Sequence, residues 1–175
     1  MRVDVVAESQ VDAATDEAIR RLQRRAFPDA EQFRHGRYWI HRPRPDDLYI
    51  LAWQDDRIVG QAVLYRASPA PGRVACLGNV CSDPDVRGRG YASACVRRAL
   101  EEARRDGADW ALLFCDPGTT NFYRRLGFEA IDHDVRFTRP DGTTRPHPPG
   151  DVGMAQRLGA RDWPNGTVVL DIDVF

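Results

Sequence analysis

The sequence contains no lysine, and all 25 of its basic residues are arginine. Catalysis through a lysine Schiff base is therefore excluded. The Gly-Lys-Ser/Thr end of a nucleotide-triphosphate loop is excluded for the same reason. Phosphate binding remains open, since the planar N–H donors of arginine match phosphate oxygens and the guanidinium stays charged.

The chain also lacks Cys-x-x-Cys pairs and long apolar runs. Its four cysteines lie in apolar stretches and are predicted to be small buried residues: Cys76, Cys81, Cys95 and Cys115. No run approaches the roughly 20 apolar residues of a membrane span. The first residues lack the apolar core of a signal peptide. We therefore predict a cytoplasmic location with no membrane partner.

Net charge and length limit the function further. The formal net charge is −1, which gives the whole molecule no electrostatic preference for nucleic acid. The 175 residues fit one domain with one sizeable core, so a single domain over 1–175 is expected.

Two helices follow from apolar periodicity. Residues 11–26 repeat apolar positions at helical spacing, and Pro28 ends that helix. From Ala92 to Ala103 the i, i+3, i+4, i+7 pattern is clearer, and Gly107 is placed for a C-terminal cap. A short helix is expected to carry Phe122 and Tyr123.

Strands are expected in the remaining apolar segments. They are residues 3–7, 48–53, 58–67, 74–81, 110–115, 128–137 and 152–158. Residues 139–150 are rich in proline and are expected to form an exposed loop. Together these elements predict an α/β (α+β) fold with helices packed on one mixed sheet.

The turn before the second helix is suited to bind phosphate. Arg87-Gly88-Arg89-Gly90 lies between a strand and a helix N-terminus, where unpaired backbone N–H groups and a positive partial charge favour an anion. Gly88 and Gly90 let a phosphate approach the backbone closely, and the arginines add donors. The pattern is not a dinucleotide-binding fingerprint, which needs three spaced glycines after the first strand. A pyrophosphate is the natural ligand, although a plain basic turn would have the same sequence.

The segment from Val80 to Phe128 resembles the GNAT superfamily of acyl-CoA-dependent N-acetyltransferases. Arg87, Gly90 and Ala92 match the R-x-x-G-x-A pyrophosphate loop of that family, and Tyr123 precedes Gly127-Phe128 where the family places a general acid. The resemblance extends over nearly the whole chain. It implies the GNAT fold, a mixed, mostly antiparallel central sheet flanked by helices, with acetyl-CoA (coenzyme A) as cofactor and no metal.

The resemblance also assigns site residues. Tyr123 would be the catalytic acid that protonates the leaving thiolate. Val80 and Cys81 would bind the acyl carbonyl and pantetheine where the sheet splays. The pyrophosphate would be held by Gly88, Arg89, Gly90, Tyr91, Ala92 and Ser93, with Arg87 adding a donor, and Asn121 and Phe122 would line the coenzyme A arm.

The general base stays open. A primary amine with a pKa of about 10 must lose a proton before it attacks the thioester. Seven residues are conceivable bases: His35, His41, Asp46, Asp47, Asp116, His133 and Asp134. A base can also act through water, or be absent if the free amine is captured.

Two segments bear on the acceptor. Residues 161–168, which include Trp163-Pro164-Asn165-Gly166-Thr167-Val168, are similar to the tail of nodulation N-acyltransferases, and the overall length resembles aminoglycoside 2′-N-acetyltransferases. Both groups act on amino sugars, but Gly78 stands where the aminoglycoside enzymes carry a glutamate. The segment 34–42, with several arginines beside Tyr38 and Trp39, occupies the acceptor-loop position of the family. It would hold an acidic or sugar-like acceptor, or be a solvated basic loop.

The predicted function is transfer of an acyl group from acetyl-CoA to a primary amine of a small molecule, such as an amino sugar or antibiotic, by direct attack in a ternary complex. The alternatives are a protein N-acetyltransferase and a non-catalytic acyl-CoA-binding module. A homodimer is left open.

Overall fold

A computed structural model describes residues 1–38, 40–67 and 73–175. The chain contains a mixed, mostly antiparallel sheet with flanking helices, and a second sheet of three strands. It divides into two compact units. The prediction of a single domain over 1–175 stays a prediction.

The first unit comprises Met1–Tyr65, Leu77–Ala99 and Phe175. Its elements are β1 (Arg2–Ala7), α1 (Ala13–Ala26), β2 (Leu48–Gln54), most of β3 (Arg57–Ala67), the later part of β4 (Val74–Ser82) and the first part of α2 (Tyr91–Arg105). Strand β2 is central to this unit, with β1 and β3 antiparallel on either side. Its register pairs Leu48 with Ala7 and with Leu64.

The second unit comprises Arg66–Cys76 and Leu100–Val174. Its elements are the start of β4, the end of α2, β5 (Trp110–Cys115), α3 (Thr120–Arg124), β6 (Glu129–Ala130), β7 (Val135–Thr138), β8 (Thr144–Pro146), β9 (Val152–Arg157) and β10 (Val168–Leu170). The start of β4 runs parallel to β5, and β9 lies antiparallel between β5 and β6. Strands β10, β7 and β8 form the three-stranded sheet.

Capping interactions explain where the first long helix begins and where the second one ends. Asp12 begins α1, because its carboxylate accepts a hydrogen bond from the Thr15 N–H at 2.8 Å. Gly107, just beyond the last residue of α2, adopts φ +74°. The N–H of Ala108 donates a hydrogen bond to the carbonyl of Ala103. This is a Schellman cap, and it confirms the role predicted for Gly107.

The structure corrects the prediction of one strand over residues 128–137 and of a loop over residues 139–150. Strand β6 pairs with β9, whereas β7 pairs with β8 and β10 in the other sheet. The physical reason that residues 139–150 are not simply a loop is the Asp141-Gly142 turn. Gly142 has φ +82° and the Asp141 carboxylate accepts from the Thr143 N–H, so residues on both sides form a hairpin.

The four cysteines are buried, as predicted. In the part of the chain that the structure describes, no helix combines the length and the apolar character needed to cross a membrane.

Candidate active site

Strand β4 is interrupted at Asn79. This residue has φ +51°, a left-handed conformation that breaks the pleat of a strand. The Asn79 carbonyl accepts a hydrogen bond from the Gln61 side-chain amide at 3.0 Å, and Gln61 is fully buried. A side chain of β3 therefore binds the backbone carbonyl at the point where the regular pleat is interrupted, while β4 itself continues to Ser82.

The Asn79 side chain fixes this interruption to neighbouring elements. Its amide lies 3.3 Å from the Tyr65 hydroxyl and 3.4 Å from the carbonyl of Arg37. Val80 and Cys81, which the family resemblance assigns to the acyl carbonyl and pantetheine, follow directly. Sequence reasoning missed Gln61 and Asn79, although a glutamine within the apolar run of β3 was a visible signal for a buried polar contact.

Gly78 is required by close packing. A Cβ atom at this position would lie 2.9 Å from the Tyr65 ring and 3.0 Å from the Phe175 ring. The glutamate that aminoglycoside enzymes carry here therefore has no room unless both rings move.

The turn that leads into α2 is anchored by Asp83. Its buried carboxylate accepts hydrogen bonds from Arg25 of α1 at 3.0 and 3.1 Å, from Arg57 of β3 at 3.2 Å, and from the Asp85 N–H at 3.0 Å. Burial would raise the pKa of Asp83, but the hydrogen bond from Arg25, the Asp85 N–H and the charges of Arg25 and Arg57 outweigh it and lower the pKa below its usual value. Asp83 thus ties two distant segments to the start of the turn.

Replacing Asp83 by Asn is expected to lower the free energy of unfolding by about 1.5 to 3 kcal/mol at pH 7, the typical range for hydrogen bonds to a charged group. Because the folded-state pKa of Asp83 is depressed, its contribution is present above the unfolded-state pKa of about 3.9 and is lost as the pH falls through the folded-state value. Urea unfolding at pH 7 and below pH 4 measures both effects.

Asp85→Asn is the matched control, since the mostly exposed Asp85 pairs with the same Arg25. We expect a much smaller loss for it. An equal loss in both variants at pH 7, or a difference that does not shrink as the pH is lowered from about 4 towards about 2, contradicts the assigned role of Asp83.

The turn leads into a helix N-terminus with backbone N–H groups that lack intrahelical acceptors. Gly88 and Gly90 have φ +78° and +85°, and open space surrounds the position of a Cβ atom at each. The first intrahelical bond runs from the Ala94 N–H to the Gly90 carbonyl, so the N–H groups of Tyr91, Ala92 and Ser93 precede it and have no intrahelical acceptor. This is the arrangement expected of an anion site.

Side chains of the turn divide in their roles. Arg87 and Arg89 are both exposed, and the Arg87 guanidinium also lies 3.5 Å from the carbonyl of Ala26 at the end of α1. The Tyr91 hydroxyl lies 3.3 Å from Gln54 of β2. A Cβ atom at Gly60 would lie 3.0 Å from the Tyr91 Cβ, so Gly60, which the sequence reasoning missed, allows α2 to pack closely on β3.

In the second unit, Tyr123 lies on α3 with 8% of its surface exposed. Its ring meets Phe122 and Phe128 edge-on, at centroid distances of 4.9 and 5.9 Å. Its carbonyl accepts from the N–H groups of Leu126 and Phe128, and Gly127 takes φ +93° between them. The tyrosine is therefore held firmly by its own turn, together with Asn121 and Phe122.

The structure thus groups the predicted site residues in two sets. Val80, Cys81 and the turn from Arg87 to Ser93 belong to the first unit, and Asn121, Phe122 and Tyr123 belong to the second.

The segment 34–42 is only partly free to bind an acceptor. The Arg37 guanidinium is bound by Glu8 and Asp16 and lies over the Tyr49 ring at 5.5 Å. The suggestion that Arg37 helps to hold an acidic acceptor is therefore not supported, because carboxylates of the chain itself already bind both terminal nitrogens of its guanidinium. Trp39 lies outside the described residues.

In the second unit, the tail is packed through Trp163. Its ring meets Trp110 edge-on at 5.2 Å and His133 at 5.8 Å. These contacts pack the half-buried Trp163 against β5, and the similarity of the tail to amino-sugar enzymes stays a prediction.

Comparison with known proteins identifies related sequences. Residues 16–128 match the model of the acetyltransferase (GNAT) family. The glucosamine 6-phosphate N-acetyltransferase 1 of Oryza sativa subsp. japonica is 40% identical over 57 residues, which are 33% of this chain and 34% of the rice protein. An uncharacterized N-acetyltransferase of Methanocaldococcus jannaschii is 39% identical over 59 residues, 32% of this chain and 26% of that protein. The matches thus span about a third or less of these two relatives.

Solved structures confirm the predicted fold. Escherichia coli ElaA superimposes with a TM-score of 0.66 at 19% identity, covering 89% of this chain and 99% of ElaA. An acyl-CoA N-acyltransferase from Pseudomonas aeruginosa gives a TM-score of 0.65 at 20% identity, covering 89% of this chain and 98% of its own. The GNAT family protein YhbS of E. coli, solved in complex with CoA, gives 0.63 at 18% identity, covering 98% of this chain and 91% of its own.

Proposed function

Because the chain belongs to the acetyltransferase (GNAT) family, whose acyl donor is acetyl-CoA, we propose that it transfers the acetyl group to a primary amine of a small molecule by direct attack in a ternary complex. The observation that carries this proposal is the first unit's combination of two features. The β4 backbone is interrupted at Asn79, and the glycine turn at the α2 N-terminus follows within the same unit.

Each feature has a chemical use. The backbone after Asn79, at Val80 and Cys81, is suited to bind the acyl carbonyl and the pantetheine amide. The glycine turn and the first N–H groups of α2 are suited to bind the pyrophosphate, with Arg89 exposed beside them. Asn121 and Phe122 line the coenzyme A arm in this proposal, and Tyr123 donates the proton that the leaving thiolate needs.

The cysteines favour direct transfer over an acyl-enzyme. Burial raises the pKa of the Cys81 thiol, and it raises that of Cys95 to about 12. Burial also raises the pKa of Cys115. These thiols stay protonated near neutral pH, and the thiolate is the nucleophilic form.

The acceptor class is tested by thiol release from acetyl-CoA against a panel of amines. Glucosamine 6-phosphate is included because of the name of the rice relative, together with other amino sugars, aminoglycosides, polyamines, amino acids and short peptides. We expect release above the hydrolysis background for one class of small amine.

Two outcomes contradict the proposal. Release with peptides alone would identify a protein N-acetyltransferase. Coenzyme A binding without turnover on any amine would identify a binding module that lacks catalysis.

A further inference from the structure

A histidine and an aspartate come together in the loop between α1 and β2. The His41 Nε2 atom lies 3.9 Å from the Asp47 Oδ2 atom. The Asp47 side chain is fully buried, while that of His41 keeps 11% of its surface exposed. The imidazole therefore lies beside a carboxylate, which is the pair of groups that a histidine base and its positioning residue require.

Asp47 is held in a fixed position by its backbone and its side chain. Its carboxylate accepts from the Arg44 N–H at 2.7 Å, and its own N–H donates to the Arg44 carbonyl at 3.0 Å. Its carbonyl accepts from the Glu8 N–H at 2.8 Å, which ties the turn to the end of β1. Because 3.9 Å is longer than a hydrogen bond, this fixed carboxylate acts on the neighbouring imidazole by electrostatic attraction.

The imidazole also lies beside the interrupted strand. The His41 ring packs edge-on against Tyr65 at a centroid distance of 5.4 Å. The Tyr65 hydroxyl lies 3.3 Å from the amide of Asn79, the residue at which β4 is interrupted. A chain of contacts therefore runs from His41 through Tyr65 to the strand position that precedes Val80 and Cys81.

The imidazole faces the Asp47 carboxylate, from the turn before β2, and the Tyr65 phenol, from β3. Arg37, on the same loop, has its guanidinium bound by Glu8 and Asp16.

Other bases considered from the sequence have structural partners. The Asp116 carboxylate accepts from the Gly118 N–H, and the Asp134 carboxylate accepts from the Thr167 hydroxyl. His133 packs edge-on against Trp163. These contacts favour His41, which combines a carboxylate neighbour with a place beside the interrupted strand.

We propose that His41 is the general base of the reaction and that Asp47 is its positioning residue. This assignment rests on the proposed function.

The neutral imidazole takes one proton from the acceptor ammonium and becomes imidazolium, which leaves a free amine. The nitrogen lone pair forms the new C–N bond to the thioester carbon, and the C–S bond breaks with its electron pair on sulfur. The thiolate takes a proton from Tyr123, and the amide nitrogen loses its surplus proton to restore the phenol. The imidazolium releases its proton to solvent.

The test compares wild type with His41→Gln from pH 6 to 9, using the best amine of the panel. At pH 7 we expect kcat/KM for the acceptor to fall about 100-fold, the lower end of the range for general acid–base catalysis. The ratio of wild-type to variant kcat/KM is expected to fall about tenfold for each pH unit. The reason is that the fraction of free amine rises about tenfold per unit below the amine pKa. Acetyl-CoA affinity, measured by calorimetry, stays the same.

Asp47→Asn is the second variant, and it keeps the assignment testable if His41→Gln does not fold. Asp47→Asn is expected to lose less activity than His41→Gln, and its difference from wild type is expected to decrease at high pH in the same way. His147→Gln is the control, since His147 stacks on Phe114 in the second unit, and its pH profile is expected to match wild type.

A merely structural pair would lower activity by the same factor at every pH, and that result overturns the assignment. Unchanged activity of His41→Gln overturns it as well. A wild type that acetylates no amine instead overturns the proposed function, so the two failures are distinguishable.

Discussion

Replacing Tyr123 by Phe is expected to lower kcat by about 100-fold or more, with acetyl-CoA affinity unchanged. The leaving thiolate then lacks the phenol that protonates it, and loss of a general acid typically costs 10²- to 10⁴-fold. The substitution keeps the ring, so the edge-on contacts with Phe122 and Phe128 remain. Steady-state kinetics, together with calorimetric binding of coenzyme A, separates the two quantities.

The matched control is Tyr49→Phe. Tyr49 is a fully buried tyrosine of β2, so this variant removes a buried hydroxyl without touching the proposed acid. We expect its kcat to stay near wild type. If Tyr123→Phe retains wild-type kcat, Tyr123 is removed from the mechanism; an equal loss in both variants would mean that a buried hydroxyl is structural in each.

Replacing Gly90 by Val is expected to weaken coenzyme A binding by roughly 10- to 100-fold. A hydrogen bond to a charged group contributes about 1.5 to 3 kcal/mol, and the valine side chain would enter the open space through which a phosphate approaches the backbone. The β-branched side chain also strains a residue held at φ +85°. Isothermal titration with coenzyme A measures the effect.

Backbone strain alone is controlled by Gly142→Val. Gly142 has nearly the same φ, +82°, and equally open surroundings, but it lies in the turn between β7 and β8. We expect this variant to lose stability without losing coenzyme A affinity. If both variants bind equally well after correction for folding, the glycine turn does not hold the pyrophosphate.

The sequence was sufficient for elements defined by local patterns. Apolar periodicity predicted both long helices close to their observed bounds, and the cap at Gly107 was readable because it acts through neighbouring residues. The glycine turn was likewise readable, since a helix N-terminus preceded by two glycines has a local physical meaning.

Features that depend on distant contacts were not readable. The Asp83 carboxylate is bound by Arg25, 58 residues earlier, and sequence spacing gives no sign of that pair. The left-handed Asn79 depends on Gln61 and Tyr65 of another strand. The division of residues 128–137 between two sheets depends on which strand each half pairs with. Alternation within a segment says nothing about its partner.

The acceptor side was harder for a related reason. Arginines near aromatic residues in the segment 34–42 suggested a site for an acidic ligand, but Glu8 and Asp16 bind Arg37 from elements far along the chain. Conversely, His41 was one of seven equivalent candidates until the turn at Asp47 placed a carboxylate beside it.

The anchoring of Asp83 has a consequence for how the cofactor is bound. A loop that must become ordered around its ligand loses conformational entropy at that moment, and this loss is subtracted from the affinity. Here the start of the turn is already fastened to α1 and β3 before any ligand arrives. In the proposed acetyltransferase, the entropy of ordering the turn is therefore lost when the chain folds and not when coenzyme A binds. If the contacts of Asp83 were weakened, coenzyme A would bind more slowly and less tightly, although Asp83 has no proposed contact with it.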